Sequence, residues 1–131
     1  MQLLRSHPHA ASGAWVLLVL AFIALAWRDW NAPTGWEEAA AHIEAQAEPL
    51  DLIVLAPSWE ARQVRLFEGR MVVAADGVLP REVRPWDRIW LVSEGEVPPG
   101  IAPLLRGFQT ADEGAAQGVQ WTLHTRSERR R

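Results

Sequence analysis

Three polar side chains that could take part in catalysis or metal binding come directly after predicted strands. Ser58 follows an apolar stretch at residues 50–56, Asp76 follows a second at 71–75, and Glu94 follows a third at 88–93. Because ligands of parallel sheets bind at the carboxyl ends of the strands, we expect these groups near one sheet edge. A serine there could act as a nucleophile, and two carboxylates could act as an acid pair or a metal pair.

The local motifs do not specify that chemistry. Ser58 lies in APSWE, which is neither a G-x-S-x-G nucleophile elbow nor a G-x-G-x-x-G phosphate loop. Only His124 is placed to serve Ser58 as a base, and an N-cap role explains Ser58 better. The spacing of Asp76 and Glu94 does not require an acid pair or a metal pair, and we expect both carboxylates to be solvated in loops. The chain has no cysteine, which excludes a thiolate nucleophile or thiolate metal site. We therefore predict no catalytic residue, no metal and no cofactor.

Tryptophan is frequent, with eight residues and no tyrosine. Trp59 and Trp86 lie beside predicted strand ends, where an indole ring can stack on a sugar or contact a lipid. Packing in the core is the alternative that we favour for both residues, and it is also what we expect for Trp36, Trp90 and Trp121. The candidate binding residues are Ser58, Trp59, Asp76, Trp86 and Glu94.

Alternating helix and strand patterns would position these residues. Thr34 and Glu37 form a capping-box pattern, which predicts a helix whose Trp36, Ala40, Ile43 and Ala47 face a sheet and whose His42 faces solvent. The three apolar stretches predict parallel strands that are covered on both faces. A second helix is predicted over residues 59–68 and shorter ones at 101–107 and after Thr110. The alternation at 119–125 predicts an edge strand, either parallel or antiparallel.

The sequence therefore predicts an α/β fold, namely a small three-layer domain with a mostly parallel sheet of about four strands. Residues 31–125 form this domain, and residues 126–131 form a basic disordered tail. Between Thr34 and Thr125 there are seven arginines and fourteen acidic residues. This acidic balance argues against nucleic-acid binding. We expect the arginine-rich tail to be a solubilising tail, and contact with anionic lipid or lipopolysaccharide is the alternative.

An apolar segment precedes the domain. Residues 10–27 carry no charge, and as a helix of 18 residues they would be about 27 Å long, enough to cross a bilayer. A buried core helix and a cleaved signal peptide with the site Ala24-Leu25-Ala26 are the alternatives. We expect an uncleaved anchor at residues 10–30, because the apolar run continues to that site and Trp27 and Trp30 suit the membrane interface.

Charge and composition suggest where such an anchor would hold the domain. Arg5 lies in the lead at residues 1–9, so the positive-inside bias favours a cytoplasmic N-terminus and an extracytoplasmic domain. All thirteen basic residues are arginine, which with the alanine content suggests a GC-rich bacterial genome. We therefore expect a single-pass protein of the bacterial inner membrane with its domain on the periplasmic side.

Three segments, Leu50–Phe67, Arg88–Val92 and Gly118–His124, are similar in kind and order to part of a known family. They resemble the extracytoplasmic soluble α/β domain of polyprenyl-phosphate-sugar (C-type) membrane glycosyltransferases. That family carries its catalytic acid and lipid-sugar site on a multi-span module, whereas this sequence has one span. The resemblance thus implies a fold and a setting in envelope glycan or lipid metabolism, and it transfers no functional residue.

These features together favour a membrane-anchored, non-catalytic binding or accessory module of the bacterial cell envelope. Its partners would be membrane lipid, through the N-terminal helix, and other membrane or envelope proteins. The alternative is an envelope enzyme, glycosyltransferase-related or a hydrolase, with a carboxylate site at the C-terminal edge of the sheet.

Overall fold

The computed structural model describes residues 8–30, 32–56 and 61–127. The chain divides into two units, with the boundary between Ala32 and Pro33. The first unit contains α1, Pro8–Trp30, and the stretch Gly13–Trp30 is long and apolar enough to cross a membrane. None of that stretch is buried, and the exposed fractions reach 69% at Leu17 and 73% at Phe22.

The second unit begins with α2, Gly35–Gln46, and its cap is the one that the sequence predicts. The Glu37 amide donates to Thr34 Oγ1 at 3.3 Å, and the Thr34 amide donates to Glu37 Oε2 at 2.7 Å. Trp36, Ala40 and Ile43 are buried, as expected from their helical spacing. The reciprocal hydrogen bonds satisfy two backbone donors that the start of a helix would otherwise leave free.

A mixed sheet of five strands forms the centre of this unit, in the order β2-β1-β3-β5-β4. β1 pairs in parallel with β2 and β3, whereas β5 pairs antiparallel with β3 and β4. The fold is thus α/β, but the prediction of about four strands, mostly parallel, is wrong. The predicted edge strand, β5, lies inside the sheet. The strands are β1 Leu52–Ala56, β2 Met71–Ala74, β3 Arg88–Glu94, β4 Phe108–Ala116 and β5 Val119–Arg126.

β4 is the strand that the sequence does not predict. The capping-box pattern after Thr110 indicates a short helix, yet residues 108–116 pair with β5 and form the edge of the sheet. A turn at Gln117 and Gly118, with φ of 48° and 82°, joins the two strands. Arg126, assigned from sequence to the basic tail, ends β5. The remaining tail, residues 128–131, lies outside the described part of the chain.

Short helical segments connect the strands. α3, Ala61–Val64, continues into a 3₁₀ helix at Arg65–Phe67, where the sequence predicts one longer helix. α4, Pro80–Val83, precedes β3. A second 3₁₀ helix, Pro99–Ile101, is followed by turns rather than by the helix predicted at 101–107.

The sheet is packed on both faces. Alternate residues of β1 enter two different hydrophobic clusters, as expected for a strand without polar alternation. Ile53 and Leu55 pack with α2, Phe67 and the buried indoles of Trp90 and Trp121. The other cluster contains Leu52, Val54, Ala56, Val83, Ile89, Leu91, Ile101 and Leu104.

A buried carboxylate joins α2, β1 and β3 where β1 begins. The side chain of Asp51 is 1% exposed and accepts hydrogen bonds from Arg88 Nε at 2.8 Å and from Trp90 Nε1 at 2.9 Å. The Glu48 amide donates to Asp51 Oδ2 at 3.0 Å. A buried charge needs such partners, because an unpaired one would lose its hydration without compensation.

Candidate functional site

The structure describes three of the five candidate binding residues. Asp76, Trp86 and Glu94 lie in the described part of the chain, whereas Ser58 and Trp59 lie outside it. The turn at Asp76 and the end of β3 at Glu94 belong to the carboxyl edge of the parallel strands. Trp86 precedes β3 and therefore lies towards the opposite edge. The described residues thus fall into separate places and do not form one site.

Glu94 is engaged with α2. Its Oε2 accepts a hydrogen bond from Trp36 Nε1 at 3.1 Å, and Glu94 pairs with Val119 in the sheet. β1 lies between β2 and β3, so the ends of those two strands are about 10 Å apart at about 4.8 Å per strand. That separation of the strand ends does not favour a shared proton or metal ion for Asp76 and Glu94. Within the described ranges, no group of three His, Asp or Glu side chains could hold a metal ion.

Trp86 lines an open cavity of about 500 Å³, the Trp86 groove. Its walls are mostly apolar, and the carboxylate of Glu82 is the only charged side chain among the described lining residues. Glu82 is held in place because its Oε2 accepts from the Leu79 amide at 2.7 Å. A largely apolar cleft of this size with few polar groups suits a small ligand. The lining residues are Leu52, Met71, Val73, Ala74, Gly77, Val78, Glu82 and Trp86.

A histidine–carboxylate pair, which the sequence does not predict, lies between α2 and β4. His42 Nε2 is 2.7 Å from Asp112 Oδ2, and both side chains are 32% exposed. The His42 ring packs at 6.1 Å from the Trp90 ring and at 5.3 Å from the Trp121 ring, measured between centroids. The expectation that His42 faces solvent is therefore wrong. The prediction failed because the apolar spacing of α2 gives no information about Asp112, which lies on the strand that packs against His42.

A β-bulge directs Asp112 towards His42. The register of β4 on β5 shifts between Thr110 and Asp112, so Ala111 has no partner. Strand alternation would otherwise place Asp112 on the same face as Phe108 and Thr110. With the bulge, Asp112 lies opposite Leu123, on the face that packs against α2. The bulge cannot be predicted from the sequence, because no residue pattern around Ala111 indicates that it is unpaired.

The pKa values are shifted in two histidine-containing pairs, His42 with Asp112 and His124 with Thr122. The hydrogen bond from His42 holds the pKa of Asp112 below its usual value. This favours the ionised carboxylate, which can accept the hydrogen bond. His124, half-buried, lies with Nε2 2.8 Å from Thr122 Oγ1, and burial lowers the pKa of its imidazole. Among the described residues no hydroxyl hydrogen-bonds to His42, so the pair lacks the nucleophile of a catalytic triad.

The described polar groups are thus used mainly to join elements, and the Trp86 groove is a candidate binding site because of its size and its apolar lining. It contains one of the five candidate residues predicted from sequence. Searches with this chain found no matching family model, no matching curated protein and no matching solved structure.

Proposed function

We propose that this chain is a membrane-anchored, non-catalytic binding module of the bacterial cell envelope. α1 crosses the inner membrane once, and the acid-rich α/β domain lies on the periplasmic side. The domain binds a glycan in the Trp86 groove and serves other membrane or envelope proteins that handle glycan or lipid-linked sugar.

One observation carries the membrane part of the proposal. The large apolar side chains of α1 are exposed, including Trp15 at 70% and Leu17 at 69%. A lipid bilayer would cover such an apolar surface.

The Trp86 groove supports the binding part. An indole ring can stack on the apolar face of a sugar, and a fixed carboxylate such as that of Glu82 can accept a hydrogen bond from a sugar hydroxyl. Met71 lies at the rim and is 54% exposed, so a ligand can reach the groove from solvent. The resemblance to the soluble domain of the C-type glycosyltransferases supports the same setting.

The alternative of an envelope enzyme has weaker support. It needs Asp76 and Glu94 to converge, but Glu94 accepts from the Trp36 indole and the strands before the two residues are not neighbours. The fixed position of Glu94 against α2 suits a role in packing better than one in proton transfer.

The test is binding of soluble cell-wall glycan fragments to the full chain in maltoside micelles, measured by isothermal titration calorimetry. Met71→Arg places a long charged side chain at an exposed position of the groove and should weaken binding about tenfold or more, since it blocks access to the Trp86 indole. Val64→Arg is the control, because Val64 is 44% exposed and does not line the groove. Equal binding by both variants, or turnover of the fragments by the wild type, would overturn the proposal.

A further inference from the structure

Three arginines line one cavity at the far end of the β4–β5 hairpin. Arg84, Arg106 and Arg126 surround a space of about 230 Å³ together with two prolines, Leu104 and Phe108. No aspartate or glutamate is among the described lining residues. In a domain with twice as many acids as arginines, this segregation of positive charge needs an explanation.

Arg126 is fixed before any ligand arrives. Its guanidinium donates to the backbone carbonyls of Arg84 and Trp86, the latter at 3.0 Å. Its Cζ lies 4.8 Å above the centre of the Phe108 ring, and its Nε is 3.3 Å from Asp87 Oδ1. Because Asp87 is 85% exposed, it offsets the charge of Arg126 only weakly. A guanidinium held in this way loses little freedom on binding an anion.

The other two arginines differ from Arg126 in their surroundings. Within the described residues, neither Arg84 nor Arg106 has an acidic partner for its guanidinium. They approach the cavity from different segments, the end of α4 and the turn before β4. The positive potential there is therefore larger than the net charge of the domain suggests.

We propose that this cavity, which we name the arginine pocket, is a binding site for a phosphate group. One guanidinium satisfies a planar carboxylate through two parallel hydrogen bonds, whereas three guanidinium groups from different directions suit a tetrahedral dianion with several acceptor oxygens. The prolines, Leu104 and Phe108 would contact the apolar or ring portion of a phosphate ester.

The arginine pocket and the Trp86 groove have no described lining residue in common. They are neighbours, since Arg126 donates to the backbone carbonyl of Trp86 and both cavities use the segment around α4. Phosphate binding in the arginine pocket requires neither glycan binding in the Trp86 groove nor membrane anchoring by α1.

The experiment follows the arginine side-chain Nε–H signals of the ¹⁵N-labelled full chain in maltoside micelles by nuclear magnetic resonance. Inorganic phosphate is titrated first, then glycerol 1-phosphate, and dihexanoyl phosphatidic acid, which is also a phosphate monoester, is added to the micelles in a separate series. We expect saturable shifts of the Arg126 signal with a phosphate ligand. Strongest binding by the soluble ester or by the lipid identifies the source, and both outcomes support the site.

Matched variants decide whether the pocket is responsible. Arg84→Gln with Arg106→Gln removes two charged donors and should weaken phosphate binding about tenfold or more. Arg65→Gln is the control, since Arg65 is exposed in the 3₁₀ helix after α3 and does not line the pocket. The proposal is overturned if no phosphate ligand shifts the Arg126 signal, if the double variant binds like the control, or if acetate binds as tightly as phosphate.

Discussion

Asp51→Asn should destabilise the domain far more than the loss of an exposed ion pair. The change removes the charge from a side chain that is 1% exposed, and Asn cannot accept from all three of the donors that Asp51 serves. Loss of a hydrogen bond to a charged group costs about 1.5–3 kcal/mol, and a buried donor without a partner costs about 1–3 kcal/mol. Arg88 keeps Glu48 Oε1 at 3.2 Å and the Gln46 carbonyl at 3.2 Å, which limits the cost. We therefore expect about 3 kcal/mol.

The assay is urea unfolding of the full chain in micelles, followed by tryptophan fluorescence. Glu44→Gln is the matched control, because Glu44 also receives two hydrogen bonds from one arginine, Arg70, but is 68% exposed. That variant should lose about 0–1 kcal/mol. Trp90→Phe removes the indole donor, so combining it with Asp51→Asn should cost less than the sum of the two changes. Equal losses for Asp51→Asn and Glu44→Gln, or strict additivity with Trp90→Phe, would refute the reasoning.

Three further predictions concern packing, pH and the anchor. Gly114→Ala places a Cβ 2.5 Å from the Trp121 ring and should cost about 1–3 kcal/mol in urea unfolding. Gly77→Ala, which meets nothing within 4 Å, should change stability by about 0.5 kcal/mol or less. Because burial lowers the pKa of folded His124, the unfolded chain takes up its proton first, so stability should fall as the pH drops below about 6.5 and level off below the folded pKa. His124→Gln should remove that part of the pH dependence, and an unchanged profile would contradict it. Leu20→Arg in the middle of the apolar segment should cost about 3–4 kcal/mol of insertion and release the chain from membranes washed with alkaline carbonate, whereas Trp30→Arg at the end of the segment should remain bound.

Local patterns predict several elements of the domain well. The capping box at Thr34, the apolar run of β1 and the alternation of β5 all depend on residues close in the chain, and each element forms at nearly the predicted place. The buried indoles of Trp90 and Trp121 likewise follow from their places on predicted strands.

β4 and the histidine–carboxylate pair depend on contacts between distant residues. Gly114 lies so close to the Trp121 ring that a larger side chain would clash with it. The segment around Gly114 is rich in small residues, and it forms a strand because it pairs with β5. His42 and Asp112 are 70 residues apart, and their contact requires both the bulge at Ala111 and the packing of α2. Neither requirement can be read from the periodicity of one segment. The arginine pocket likewise brings together three segments that the sequence gives no reason to join.

The membrane topology is the central claim, and labelling with a membrane-impermeant maleimide tests it most directly. The chain has no cysteine, so a single introduced thiol reports its own side of the membrane. Ala45 is exposed on α2, and Gln2 precedes α1 in the sequence. We predict that Ala45→Cys is labelled in intact spheroplasts and that Gln2→Cys is labelled only after lysis. The opposite pattern, or recovery of either variant in the soluble fraction, would contradict the account.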